Sequence, residues 1–311
     1  MLALSAKLFD MKIQQLKHIY RKTKDILTQG WMLAGLVVVI LLPFVIGLGL
    51  YLKSHHIFTQ YNFWELIGST EWKPLSGKFG LYPFILSSLW ITLIAIVIAL
   101  PVALLSAIHL TTYAKAWVLK WVHPLIDILA GLPSVIYGIW GVIAVVPAVQ
   151  SLALSFGIKV SGYSILAGGI VLAIMILPFI LNILIEIFKS IPIELTEVTL
   201  SLGATRWQTV KKVILRKAMP GIISATGLGI SRAFGETIAV LMVAGNVVKI
   251  PTGIFQPGYP LPALLINNYG EMLSIPLYDS ALMLAAFILL LIVLFFNILG
   301  RYTIVRFEKS M

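Results

Sequence analysis

The sequence predicts an all-α membrane protein with six transmembrane helices, and three observations predict it. Of 311 residues, 59% are hydrophobic and only 11% are charged, against about 25% charged in a soluble domain, whose polar side chains must cover its surface. The apolar residues are gathered into six long uncharged runs, each near the roughly 20 residues that cross a bilayer core. The cations stand in blocks between those runs, as topology signals do. A soluble globule, a disordered chain and a nucleic-acid binder that is merely basic are excluded, although the formal net charge is +11.

The first apolar run, Trp31–Leu52, is too long for a cleavable signal and reads as a retained span. Before it, Leu2 to Gln29 mixes Leu and Ile with Lys7, Lys12, Lys17, Arg21, Lys22 and Lys24. That segment, about residues 1–30, fits a basic helix lying on the membrane surface, or equally a solvated tail that only sets topology. The second and third runs are Phe84–Leu110 and Pro124–Val149, and the fourth is Tyr163–Phe188. The fifth is Ala218–Val248 and the sixth Leu277–Leu299, so a permease-sized domain occupies residues 31–300 and a short tail residues 301–311. Prolines inside the runs (Pro43, Pro101, Pro133, Pro178) are tolerated where neighbouring helices satisfy the freed backbone groups.

Six spans put both termini on one side. That side would hold 17 of the 23 Lys and Arg, the other side five, with Arg232 left inside the fifth span. The positive-inside rule makes both termini cytoplasmic. The outward segment from Lys53 to Pro83 is rich in aromatics (Phe58, Tyr61, Phe63, Trp64, Trp72, Phe79, Tyr82), which suit anchoring at the membrane interface or contact with a substrate or partner.

Several chemistries are missing. The motif G-x-x-x-x-G-K-[ST] would cradle a nucleotide phosphate, but at Gly77-Lys78-Phe79 Trp72 stands where its first glycine is needed. Gly227-Leu228-Gly229 opens a dinucleotide-like pattern, yet Arg232 replaces its last glycine. Five histidines show no metal-ligand spacing, and there are 0 cysteines. No catalytic constellation, metal site or cofactor site is encoded; if ATP drives this protein, another chain supplies the ATPase.

Two stretches carry positive signals. Between about residues 189 and 217, Leu195, Val198 and Leu202 share a helical face, Gly203 interrupts, and Ala204, Trp207, Val210 and Ile214 restart one. Two short amphipathic helices broken by glycine fit a groove on a partner, or a loop resting on lipid. In the fifth span, Arg232 and Glu236 are four residues apart, so one helical face could pair them. An ionisable residue at mid-membrane costs about 2.5–3.5 kcal/mol on insertion scales and faces a cavity or a partner helix. The pair therefore reads either as part of a substrate pathway or as a lock on helix packing. Asp127 and Glu186 lie near span ends, where long side chains reach water. Gly221, Ala225, Gly229 and Ala233 form a small-residue stripe beside the Arg–Glu face, which permits close helix approach within a tight core or at a subunit interface.

At these residues the chain resembles the membrane subunits of ABC importers, specifically the PstC-type permeases of phosphate importers. The loop is similar to their coupling motif, E-A-A with a glycine six residues after the glutamate, here Glu197-Val198-Thr199 and Gly203. Both alanines are replaced and Arg216 stands where proline is usual, but the glutamate-to-glycine spacing is kept. Ser231-Arg232-Ala233-Phe234-Gly235-Glu236-Thr237 resembles the R-A-x-G-E-T signature of that type. Leu129-Ala130-Gly131-Leu132-Pro133-Ser134 through Gly138 is similar to its third-span motif, and Trp72-Lys73-Pro74 with Phe79-Gly80 and Pro83 to its outward loop. The resemblance runs from about residue 30 to 300.

It implies an importer-permease bundle with a cytoplasmic coupling helix, carrying inorganic phosphate across a bacterial inner membrane. Glu197, Leu202, Gly203 and Trp207 would contact ATP-binding subunits, where ATP itself binds. Arg232 and Glu236 would line the pathway. The implied partners are a second, PstA-like permease and a periplasmic phosphate-binding protein, besides lipid. A permease for another oxyanion or small solute is the alternative; an ion-coupled secondary transporter should show several intramembrane acids or inverted repeats, and neither is visible.

Overall fold

The computed structural model describes the backbone of residues 2–270 and 275–308, and the side chains of these apart from residues 2–20, 23, 116 and 303–308. Lys7, Lys12, Lys17, Arg306 and Lys309, which entered the charge count, therefore lie outside the described side chains. The chain divides into two units, Met1–Leu52 and Lys53–Met311.

The described residues of the first unit all lie in α1 (Leu2–Ser54). The basic segment and the first span, expected as separate pieces, are one uninterrupted helix.

The second unit begins with a 3-10 turn (His55–Thr59), α2 (Phe63–Gly68) and a two-stranded hairpin, β1 (Trp72–Lys73) and β2 (Lys78–Phe79), with Trp72 opposite Phe79. The Tyr61 hydroxyl donates to the Gly77 carbonyl at the hairpin turn. The Lys78 ammonium lies 2.5 Å from the Glu71 carboxylate. That hydrogen bond, with the Lys78 and Lys73 charges, holds the Glu71 carboxyl below the usual carboxylate range.

The aromatics of this loop are not uniformly interface anchors. Trp72 packs edge-on against Phe79 and Phe84, with ring centres 5.9 and 5.2 Å apart, and tilted against Tyr278 at 5.7 Å. Edge-to-face aromatic pairs contribute about 0.5–1.5 kcal/mol beyond the area they bury. Trp64, by contrast, is 76% exposed.

The spans follow. α3 (Tyr82–Ile108) ends in a π turn (His109–Tyr113), and α4 (Ala116–Gly131) is a separate helix. The third span is α5 (Ser134–Trp140), a π turn (Gly141–Val145) and α6 (Val146–Ser155). It starts at Ser134 rather than Pro124. The residue before a proline is pushed out of the helical region, and Leu132, preceding Pro133, is extended at φ −64°, ψ 136°.

α7 (Ile165–Lys189) is the central helix, packed most extensively on α3. Ala95, Ala99, Ala103 and Ala107 of α3, spaced one turn apart, are fully buried. From α7, Gly169 meets α3 so closely that a Cβ there would lie 2.4 Å from Ile94 Cγ2. Small residues let helix backbones approach in lipid, where dispersion replaces the hydrophobic effect.

α8 (Ile193–Ser201), α9 (Arg206–Thr209), a π turn (Val210–Ile214) and α10 (Leu215–Gly235) come next, then α11 (Ile238–Val243), α12 (Leu261–Asn268) and α13 (Pro276–Glu308). The buried Ser87 and Ser88 hydroxyls of α3 accept from the backbone N–H groups of Tyr259 and Leu261 at 3.1 and 2.9 Å. They tie the segment before α12 to α3. Among the described residues, six helical segments are long and apolar enough to cross a membrane.

Candidate functional site

The fifth span does not run on to Val248. α10 stops at Gly235, Glu236 is extended at ψ 130°, and a six-residue helix, α11, restarts at Ile238. A local competitor explains the break: Glu236 Oε1 accepts from the backbone N–H of Ala239 at 3.1 Å. An N–H in the first turn of a helix has no intrahelical partner, so a side-chain acceptor stabilises a new start there.

This corrects the expectation that Arg232 and Glu236 pair on one continuous helical face. Arg232 lies in the last turn of α10 and Glu236 beyond it, and no salt bridge joins them among the described residues. The Arg232 guanidinium instead sits over the Phe179 ring, 4.7 Å from its centre. Phe179 is the fifteenth of the 25 residues of α7, about 21 Å along it at 1.5 Å per residue. The cation thus stands near the middle of the fourth span. It is exposed in the single chain, and Glu236 is half-buried. Ser88, Thr92, Leu172 and Phe234 line a narrow cleft with Glu236. Non-helical backbone at membrane depth persists only where protein buries it or a watery cavity adjoins it.

The small-residue stripe faces α7 of the same chain. A Cβ at Gly221 would lie 2.7 Å from Ile187 Cγ2, and one at Gly229 2.7 Å from Ile180 Cδ1. Ala225 and Ala233 are buried along the same line. The stripe seats the helix bearing Arg232 against the helix bearing Phe179, which is why guanidinium and ring meet.

The second region is the α8–α9 corner. The Ala204 N–H donates to the Thr199 carbonyl and the Gly203 N–H to the Leu200 carbonyl, the paired bonds of a glycine-terminated helix end. Gly203 is left-handed at φ +82°, and a Cβ there would meet nothing within 4 Å. Glycine serves there for its conformation and not for space. Thr205 caps α9 in a reciprocal box with Gln208, and the Thr199 and Thr209 hydroxyls bridge the two helices at 3.0 Å. One face of the corner is anchored through buried Val210 and Ile214. The other leaves Leu202 82% and Trp207 52% exposed, with Val198 and Glu197 beside them. A rigid corner with apolar side chains outward is what a docking element requires. From Arg206 to Gly235 the chain is continuously helical, so Trp207 and Arg232 ride on one rod.

The sequence reading named Asp127 and Glu186 but not Asn182, which follows Phe179 on α7 at i+3, a spacing legible as one helical face. That Asn182 Nδ2 donates to Asp127 Oδ1 of α4 at 2.9 Å was not legible.

A model of the family described as "Binding-protein-dependent transport system inner membrane component" matches residues 99–309. The probable phosphate transport system permease protein PstC of Methanocaldococcus jannaschii is 34% identical, covering 96% of this chain and 99% of that one. The phosphate transport system permease protein PstC of Xylella fastidiosa is also 34% identical, over 78% and 79%. The probable ABC transporter permease protein YqgH of Bacillus subtilis is 37% identical, over 76% of each. Among solved structures, a bacterial ABC transporter importing the acidic polysaccharide alginate aligns at TM-score 0.55 and 17% identity, covering 91% of this chain and 99% of that one. That likeness is one of fold. With the six apolar helices and the Arg232–Glu236 signature on the same framework, the chain belongs to the inner-membrane components of binding-protein-dependent transport systems, in the group of PstC-type permeases.

Proposed function

We propose that the chain is one permease half of an ATP-driven importer that takes inorganic phosphate into the cell, with Arg232 as the anion-holding group of the pathway. The names of its relatives support phosphate as cargo. The observation that carries the role of Arg232 is its placement: a cation near mid-membrane, held by an aromatic face and by no carboxylate among the described residues.

A phosphate crossing a low-dielectric region needs a counter-charge, and a guanidinium can hold two of its oxygens at once. A cation–π contact on Phe179 steadies the guanidinium without occupying its N–H fork, since the ring attracts the flat face. Such holding is favourable but weak enough to release the anion, as conduction demands. Glu236, fixed by Ala239 one turn further on, sets a negative charge beside the cleft and opposes over-tight binding.

ATP is hydrolysed on separate ATPase chains, which bind the corner formed by Glu197, Leu202, Gly203 and Trp207. A PstA-like permease completes the pathway against the exposed side of Arg232, and a periplasmic binding protein delivers phosphate. The positive-inside excess supports the reading that both termini and the corner face the cytoplasm.

The test is reconstitution. This subunit alone in liposomes should neither hydrolyse ATP nor move phosphate. With the ATPase, partner permease and loaded binding protein, ATP-dependent phosphate uptake should appear. Phosphate-specific transport by the isolated chain would overturn the assignment.

A further inference from the structure

We infer that a second oxyanion subsite lies on the inward side of Arg232, formed by Asn182 and His123, and that the Asp127 carboxylate occupies it when no anion is passing. This rests on the pathway role given to Arg232.

The geometry begins on α7. Asn182 lies one turn past Phe179 toward the end that carries Lys189, about 4.5 Å along the axis. Its Nδ2 donates to Asp127 Oδ1 of α4 at 2.9 Å. His123, one turn before Asp127, lies with Nδ1 3.2 Å from Asp127 Oδ2. An ionised carboxylate only accepts, so the imidazole donates there. Two N–H donors from two helices thus converge on the two oxygens of one carboxylate.

A carboxylate held in this way is a stand-in for a tetrahedral oxyanion, which presents oxygens of like charge at like spacing. The donors suit phosphate equally, and Asp127 is tethered while phosphate is free. The side chains around the site are exposed in the single chain, with Asp127 at 57% and His123 at 36%. Asn182 follows Phe179 at i+3, on the same side of α7, and it carries Asp127 and His123 of α4 with it through its hydrogen bond. They therefore share with Arg232 a surface that the partner permease encloses. The Asn182 Oδ1 is buried without a hydrogen-bond partner. A buried acceptor without a partner calls for an explanation, and a second bonding state of this side chain supplies one. Swinging Asp127 away frees the Asn182 amide N–H and the His123 ring N–H for an arriving anion.

On inward transfer, phosphate leaving Arg232 displaces Asp127 and takes its two donors. Once the anion departs, Asp127 returns and its charge repels cytoplasmic phosphate. The subsite is thereby a downstream holding point and a barrier to backflow.

The experiment uses the complete transporter in proteoliposomes with radiolabelled inorganic phosphate, measuring ATP-driven uptake and ATP-independent efflux from loaded vesicles. Asp127→Asn removes the tethered charge and should raise efflux about tenfold, the factor that 1.4 kcal/mol represents. Asn182→Leu removes a donor and should lower uptake about tenfold, with binding-protein-stimulated ATPase activity retained. His123→Leu should behave like Asn182→Leu, whereas His123→Asn keeps a donor and should retain most uptake. If Asp127 is only a staple between α4 and α7, Asp127→Asn and Asn182→Leu should lower thermal stability together, with efflux and uptake per assembled complex unchanged. That result overturns the subsite. Arg232→Gln run in parallel separates the two proposals: loss of uptake there, beside normal Asp127, Asn182 and His123 variants, removes the subsite alone. Retained uptake in Arg232→Gln removes the pathway role as well. Should Asp127→Asn fail to assemble, the contrast between His123→Asn and His123→Leu decides, since equal uptake in both is incompatible with a donor role.

Discussion

The Arg232 guanidinium lies over the ring of Phe179, 4.7 Å from its centre, and not against Glu236 four residues away. The charge therefore lies against a neighbouring span and pairs with no carboxylate among the described residues. Three variants test this. Arg232→Gln should abolish uptake with normal membrane insertion, and Arg232→Lys should be partly active because it keeps the charge and loses the fork. Phe179→Leu should weaken uptake several-fold, in line with about 0.5–2 kcal/mol for a cation–π contact. Uptake and subunit level are measured together. Normal uptake in Arg232→Gln would remove the pathway role.

Glu236 should behave differently. Glu236→Gln keeps an acceptor for the Ala239 N–H and loses the charge, so α11 should stay in place. The expected result is slower turnover with delivery from the binding protein intact. If the two residues were a structural lock, both single variants would lower subunit level, and neutralising both would restore uptake. Recovery in that double variant would end the pathway assignment.

At Gly203 the cost of substitution is conformational. A left-handed non-glycine residue costs about 1–3 kcal/mol, most for β-branched side chains and least for Asn. Gly203→Val should lose ATPase co-purification and ATP-driven uptake with the subunit still inserted, and Gly203→Asn should keep more of both. Equal behaviour of Val and Asn would mean that the left-handed corner is unimportant to docking.

Gly229 poses the opposite problem, since a Cβ there would lie 2.7 Å from Ile180. Gly229→Val should destabilise the subunit by about 1–3 kcal/mol through overpacking, read as a lower thermal transition in detergent. Ile180→Ala in the same chain should recover part of the loss. Absence of any recovery would place the strain elsewhere.

The Glu71–Lys78 pair predicts a pH dependence outside the membrane. The folded carboxyl titrates below its unfolded value, so its stabilisation is present above the unfolded value, about 4.3. It is lost as pH falls through the lower folded value. Wild type should therefore be slightly more stable than Lys78→Gln at neutral pH, and the gap should close in acid. Both side chains are half-exposed, so the effect is small and salt-sensitive. A gap that widens in acid would contradict the assignment.

The sequence by itself determined the membrane class, the number of apolar spans and the separation of the cations. It also located the Gly203 corner, because a glycine interrupting two apolar faces is a local signal. These properties depend on composition and periodicity within one stretch of chain. Only the tertiary structure decided that α10 stops at Gly235, that Arg232 meets Phe179, and that Gly221 and Gly229 seat against Ile187 and Ile180. It alone placed Trp72 among Phe79, Phe84 and Tyr278, and Asp127 beside Asn182. The physical reason is that hydropathy places a helix in the bilayer but is nearly blind to which face turns to which neighbour. In lipid that choice follows close packing and hydrogen bonding between distant segments. A helix of period 3.6 offered Arg232 and Glu236 one shared face, and a single bond from the Ala239 N–H to Glu236 withdrew it.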